Sequence, residues 1–127
     1  MQYRRIGNTD LEVSTIGFGT WEMSTNYGEI DVDEASDAVA QAIDHGITLF
    51  DTAEVYGPYH SEELLAKALG PRRNKITLVT KVGFDYTEES SVIGRNSKRE
   101  HIAERTEGSL RRLNTDVIDL LLIHWPD

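Results

Sequence analysis

The sequence predicts an α/β protein with a parallel sheet of the (β/α) TIM-barrel type, about four βα units long and preceded by an N-terminal β-hairpin. Three observations lead there. Short, nearly all-apolar runs alternate with helix-period segments, the pattern of parallel strands buried on both faces. The stretch after the first strand, GFGTWEMS, lacks the G-x-G-x-x-G spacing of an open dinucleotide-binding sheet. Polar residues stand at the C-terminal ends of strands, where a barrel collects its chemistry. Residues 1–127 are read as one partial (β/α)8 domain, the N-terminal half of a barrel.

The hairpin is expected at Tyr3 to Ile6 and Leu11 to Val13, turning at Gly7-Asn8-Thr9-Asp10. Ser14 to Gly19 reads as the first buried strand. Ala35, Ala38, Val39, Ala42 and Ile43 then recur at helical spacing on one face. Asp31 or Asp33 can cap that helix, and Gly46 fits the left-handed position after its end. The second strand is Thr48 to Asp51. Ser61 reads as the opening of a second helix bearing Leu64, Leu65, Ala68 and Leu69, stopped by Gly70-Pro71. The third strand is Ile76 to Lys81, followed by a polar loop from Val82 to Asn96. Ser97 and Glu100 have capping-box spacing ahead of a third helix with Ile102, Thr106, Ser109, Leu110 and Leu113 on one side. The fourth strand is Val117 to His124.

Charge and composition narrow the partners. The chain has 22 Asp and Glu against 13 Lys and Arg, a net charge of -9. No nucleic-acid partner is expected, because a phosphate backbone needs a basic face, and no anionic membrane surface for the same reason. There is no cysteine, which excludes disulfides, thiolate metal ligands and cysteine nucleophiles. MQYRRIGNTD has no apolar signal core, and Leu120 to Ile123, the longest apolar run, is far too short to span a bilayer. A cytoplasmic location is expected.

Four polar residues fall at strand ends. Asp51 closes the second strand, Tyr56 lies in the loop after it, Lys81 closes the third and His124 the fourth. In a parallel sheet these ends share one rim. A phenol alone is a poor acid at neutral pH, with a pKa of about 10, and an ammonium beside it favours the phenolate. A partly buried ammonium needs a counter-ion, which Asp51 supplies. An imidazole next to the phenol can orient a substrate carbonyl by a hydrogen bond. The set makes a proton donor for a developing alkoxide and needs a separate hydride carrier. Taken singly, each residue has an ordinary structural role, such as a turn carboxylate, a half-buried ring or a snorkelling lysine.

The stretches YRRIGNTDLEVSTIGFGTW, GITLFDTAEVYG with SEELLAKAL, ITLVTKVG and SLRRLNTDVIDLLLIHWPD resemble the aldo-keto reductase superfamily in order and over nearly the whole chain. The resemblance implies NADPH (NADP+) as cofactor, no metal, and a small aldehyde or ketone as substrate. It implies Tyr56 as general acid, Lys81 as the neighbour that eases its proton release, Asp51 as the lysine's partner and His124 as the orienter of the carbonyl. Gly19, Thr20 and Trp21, with Asp51, match the segment that approaches the nicotinamide. The opening pattern resembles the bacterial oxidoreductase and potassium-channel β-subunit branch more than the aldose-reductase branch. The alternative function on the same fold is a non-catalytic, NADP(H)-binding regulatory or interaction subunit.

The remaining histidines are read as structural. His45 is expected at the C-terminal dipole of the first helix, His60 ahead of the Ser61 cap, with a place near the site as its alternative, and His101 on a solvated helix face. Arg111 and Arg112 are expected at a solvated helix end. Trp125 and Tyr27 are candidates for pocket walls or plain packing. A whole barrel needs eight strands and about 250 residues, so the chain is expected to be a truncated or partial form, inactive alone. Its open, apolar outer strands are expected to self-associate or to pair with a missing C-terminal half.

Overall fold

The computed structural model describes residues 1–25, 28, 30–87 and 91–127. Tyr27 lies outside them. The chain opens with an antiparallel hairpin, β1 (Tyr3–Arg5) and β2 (Glu12–Ser14). Ser14 belongs to this hairpin and not to the first sheet strand. Its buried side chain and backbone bond Thr48 reciprocally, with Ser14 N–H donating to Thr48 Oγ1 and Thr48 N–H to Ser14 Oγ, both at 2.9 Å. The hairpin is thereby fastened across the entry to the second sheet strand.

The main sheet has four parallel strands in chain order: β3 (Gly17–Gly19), β4 (Leu49–Asp51), β5 (Thr77–Val82) and β8 (Leu120–Ile123). Three helices connect them, α1 (Val32–Asp44), α2 (His60–Leu69) and α3 (Arg99–Arg112). This is the expected βα alternation. Side chains alternate between the two faces of each strand. Phe50 and Leu78 turn to the helices and join Ala35, Val39, Leu64, Leu65 and Leu69 in the core. Each large apolar side chain buried there contributes about 1.5–3 kcal/mol. The opposite face carries Asp51, Val79 and Lys81, with Asp51 in register with Val79. The outer strands β3 and β8 have one unpaired edge each, and Leu121, Leu122 and Ile123 of β8 are exposed.

Asp31 caps α1 as expected, its Oδ1 accepting from Asp33 N–H at 2.7 Å and Glu34 N–H at 3.3 Å. Gly46 follows at φ +84, and a Cβ there would meet the Tyr3 hydroxyl at 2.7 Å. His45 ends the helix, with Nδ1 2.8 Å from the Gln41 carbonyl.

Several expectations are corrected. The segment from Val82 to Asn96 is not a plain loop. It contains a second antiparallel hairpin, β6 (Phe84–Tyr86) and β7 (Val92–Arg95), with a bulge between Asp85 and Tyr86. The Ser97/Glu100 capping box does not form. Lys98 is the N-cap of α3 and makes no side-chain cap bond, while the Ser97 amide donates to Asp127 Oδ2 at 2.8 Å. Ser61 is not a cap either. Helix α2 begins one residue earlier, after Tyr59 at φ +71, and the Ser61 hydroxyl is spent on Thr20. The fourth strand is shorter than expected because Asp119 turns its carboxylate back to accept from Leu78 N–H at 2.8 Å and Arg73 at 2.9 Å. His101 is not solvated: its Nε2 lies 3.1 Å from the Phe84 carbonyl and its Nδ1 3.4 Å from Asp85 Oδ1. Arg111 is exposed, but Arg112 is half-buried and pairs with the fully buried Glu62.

Candidate active site

Glycine permits the turn that presents Tyr56. Gly57 has φ +67, and a Cβ on it would stand 3.0 Å from the Thr25 amide nitrogen and 3.1 Å from Ser24 Cα. A residue with a side chain would lose both the conformation and the close packing. The loop after β3 is fixed just as firmly. Thr20 N–H donates to the Asp51 carbonyl at 3.0 Å, and the Ser61 hydroxyl is shared between the carbonyl and hydroxyl oxygens of Thr20, each at 2.7 Å. Thr20 is fully buried, whereas Trp21 beside it is half exposed and stacks on the Tyr56 ring at 5.7 Å.

The four strand-end residues converge on one rim. The Lys81 ammonium donates to Asp51 Oδ2 at 2.7 Å, to the Thr52 carbonyl at 3.0 Å and to the Tyr56 phenol oxygen at 3.0 Å. All three of its protons are then used. Because an ammonium only donates, the phenol oxygen accepts in this bond. The phenolic hydrogen is left to point elsewhere, and the cleft is in front of it.

His124 completes the rim. It follows β8 directly, and its N–H continues the ladder to the Val82 carbonyl at 3.0 Å. The imidazole meets Tyr56 edge-on at 5.8 Å and packs on Phe84 at 5.2 Å. Burial holds its pKa below the ordinary imidazole value, the Lys81 ammonium pushes the same way, and the Asp51 carboxylate pulls against both. The neutral ring is therefore favoured at neutral pH, with a nitrogen able to hydrogen-bond. Its Nδ1 is buried with no partner among the described residues. In front of the rim lies a cleft of about 320 Å³ lined by Trp21, Val55, Tyr56, Phe84, His124 and Trp125. Trp125, ambiguous in the sequence, forms part of that wall, and the Arg95 guanidinium lies 5.3 Å from its ring. The His60 amide donates to Gly57 O at 3.4 Å, and its ring is not among the residues that line the cleft. Among the described residues no three His, Asp or Glu side chains come together as a metal-ligand set.

Sequence reasoning passed over Glu54, Glu62 and Phe84. Glu54 is fully buried two residues before Tyr56. Glu62, also buried, pairs with Arg112 Nε at 2.6 Å and accepts from the Thr80 hydroxyl at 2.7 Å.

Parallel βα units with polar side chains gathered at the C-terminal strand ends are the arrangement of a barrel-type α/β fold. Residues 15–127 match the model of the Aldo/keto reductase family, and the chain belongs to that family. It is 41% identical over its whole length to Aldo-keto reductase YhdN of Bacillus subtilis, covering 39% of that protein. It is 40% identical, again over its whole length, to the "Probable voltage-gated potassium channel subunit beta" of Arabidopsis thaliana, covering 38% of it. Among solved structures, 96% of the chain superposes on 40% of aldo-keto reductase AKR11C1 from Bacillus halodurans in its holo form, with a TM-score of 0.86 and 36% identity. An aldo-keto reductase from Klebsiella pneumoniae in complex with NADPH matches 91% of the chain over 37% of its own length, with a TM-score of 0.73 and 33% identity. The chain thus spans about two-fifths of the length of the curated relatives it matches.

Proposed function

We propose that this chain carries the proton-donating part of an NADPH-dependent oxidoreductase site that reduces aldehydes or ketones to alcohols. The observation that carries the reading is the single ammonium, Lys81 Nζ, bonded at once to Asp51 and to the Tyr56 phenol. In this reading the substrate carbonyl oxygen docks against the phenolic hydrogen of Tyr56, and the neutral His124 ring donates a second hydrogen bond to it. As negative charge builds on that oxygen, Tyr56 hands over its proton. The phenolate left behind is stabilised by the Lys81 ammonium, and Asp51 keeps that ammonium charged. Trp21, Phe84 and Trp125 give the reacting carbonyl an aromatic wall.

Bound NADPH supplies the hydride for the carbonyl carbon. Open space at the rim supports this: Gly19 stands in register with Asp51, and apart from its chain neighbours no heavy atom of the described residues lies within 4 Å of where a Gly19 Cβ would be. Gly19, Trp21 and Asp51 are assigned to the nicotinamide side. Thr20, whose polar groups are bonded within the chain, is assigned to holding the backbone on which they stand. Residues 1–127 form one partial barrel domain in this reading. Catalysis requires the open edges of β3 and β8 to be covered, by a second copy or by further strands, so the isolated chain is inactive.

Tyr56→Phe tests the assignment. In the closed barrel it lowers aldehyde turnover by about 10²–10⁴-fold and leaves NADPH binding, read by nucleotide fluorescence, unchanged. Parental turnover in the phenylalanine variant would remove Tyr56 from the proton role. The likeness to the Arabidopsis channel subunit favours a second reading, a non-catalytic NADP(H)-binding subunit. NADPH binding without turnover of any aldehyde in the parent protein would select it.

A further inference from the structure

A buried polar cluster lies behind the rim, and the proton chemistry above leaves it unused. At its centre is Glu54, in the loop that carries Tyr56. Its N–H donates to the Lys81 carbonyl at 3.2 Å, and its own carbonyl accepts from Tyr59 N–H at 2.7 Å. Its carboxylate oxygen Oε1 accepts from Gly83 N–H at 3.2 Å. Gly83, at φ +118, is the turn by which the chain leaves β5 for the β6–β7 hairpin. The Gly83 carbonyl accepts from Asn96 N–H at 2.9 Å where that hairpin returns. The next residue, Phe84, is the one whose ring packs on His124.

One residue thus joins three parts of the rim: its place in the chain and its backbone tie the Tyr56 loop to the strand end bearing Lys81, and its carboxylate ties that loop to the Gly83 turn that leads to the hairpin wall against His124. The groups facing it are Arg105 from α3, Glu62 from α2, Tyr86 from β6 and the Gly83 and Phe84 amides. Burial pushes the carboxyl above its ordinary range, Glu62 adds to this, and Arg105 and the two amides oppose it. Glu54 Oε2, Tyr86 Oη and Arg105 Nε are buried without a partner among the described residues. A carboxyl so enclosed costs stability except where hydrogen bonds or a paired charge offset it, and here the Gly83 bond is made while Oε2 stays unpaired among the described residues.

We propose that Glu54 is a positioning residue, tying the Tyr56 loop to the Gly83 turn so that the phenol, Lys81 and His124 keep their mutual geometry. Its functional meaning rests on the reading of Tyr56 as proton donor. The tether itself is measured without turnover.

The experiment is an NMR titration of the His124 ring in the chain, together with the Tyr56–His124 ring contact read by nuclear Overhauser effect. Parent, Glu54→Ala and Glu54→Gln are compared. In the alanine variant the Phe84 wall loosens and the imidazole gains solvent, so its midpoint rises by about half a pH unit or more and the ring contact weakens. Glutamine keeps an acceptor for the Gly83 amide, so its midpoint stays within about 0.2 unit of the parent. A carboxyl that only stabilises the fold would change the melting temperature and leave both readouts parental in the folded protein. That result for alanine overturns the proposal, as does a glutamine variant shifted as far as alanine. If the alanine variant does not fold, Glu54→Asp replaces it, shortening the reach by one methylene. A shifted midpoint there supports the tether and a parental one overturns it. Parental turnover in Tyr56→Phe would remove the proton-donor role and leave this result standing.

Discussion

Arg112→Ala separates a buried ion pair from a solvated helix end, and its cost follows from the contacts. Glu62 is fully buried. One carboxylate oxygen accepts from Arg112 Nε at 2.6 Å and the other from the Thr80 hydroxyl at 2.7 Å. The guanidinium also lies 4.3 Å from the Tyr59 ring centroid. Truncation leaves a carboxylate in the interior with one neutral hydrogen bond. Stranding one partner of a buried pair costs about 3–5 kcal/mol, a large share of the roughly 5–15 kcal/mol available to a domain. At roughly 3–5 °C per kcal/mol for a chain of this size, the melting midpoint falls by about 9–25 °C. The assay is thermal unfolding of the chain followed by circular dichroism at fixed pH. Adding Glu62→Gln in the alanine background removes the stranded charge, keeps the Thr80 bond and recovers at least about 1 kcal/mol. A loss under about 1 kcal/mol for Arg112→Ala, or no recovery in the double variant, would refute the reasoning.

Two more outcomes follow from the rim. The His124 pKa is depressed in the folded chain, so its stabilising contribution is intact above the ordinary imidazole value of 6.5 and is lost as pH falls through the folded value. Urea unfolding of the parent between about pH 7.5 and pH 5 shows that loss, and His124→Gln flattens it; equal slopes would contradict the assignment. Gly57→Ala forces an alanine into φ +67 against the backbone of Ser24 and Thr25. It costs at least about 1–2 kcal/mol, and denaturant unfolding that shows less than about 0.5 kcal/mol would refute the need for glycine.

The order of strands and helices was legible because its signals are local. Periodicity located each helix, and Asp31, Gly46 and Gly70-Pro71 marked ends that the structure keeps. The convergence of Asp51, Tyr56, Lys81 and His124 followed from parallel strands alone. What escaped notice depends on contacts distant in sequence. Ser61 has the chemistry of a cap, but Thr20, 41 residues earlier, takes its hydroxyl. The β6–β7 hairpin had a faint signal in the aromatic and β-branched residues of FDY and SVI, masked by the polar residues between them. Arg112 lies three residues after Ser109 but directly beside Leu113, at the margin of the apolar stripe, so helical spacing alone did not decide its side. Its charge argued for solvent, and only the carboxylate of Glu62, on another helix, decides the matter.

That pair also bears on the rim. Thr80 and Lys81 are consecutive in β5 and face opposite ways. Thr80 turns to the helices and donates to Glu62, while Lys81 turns to Asp51 and Tyr56. A slip of β5 by one residue would exchange them. The ammonium would enter the helix layer beside the Arg112 guanidinium, and a threonine hydroxyl would stand where Asp51 needs a cation. Both faces of β5 therefore oppose the same error, one through the Glu62–Arg112 pair and the other through Asp51. The apolar pattern alone is a weaker guard, since Leu78, Val79 and Val82 are all buried and lie on both faces of the strand. The register that places Lys81 within 3.0 Å of the Tyr56 phenol is thus specified largely by charge, and half of that charge sits in a cluster that never reaches the cleft.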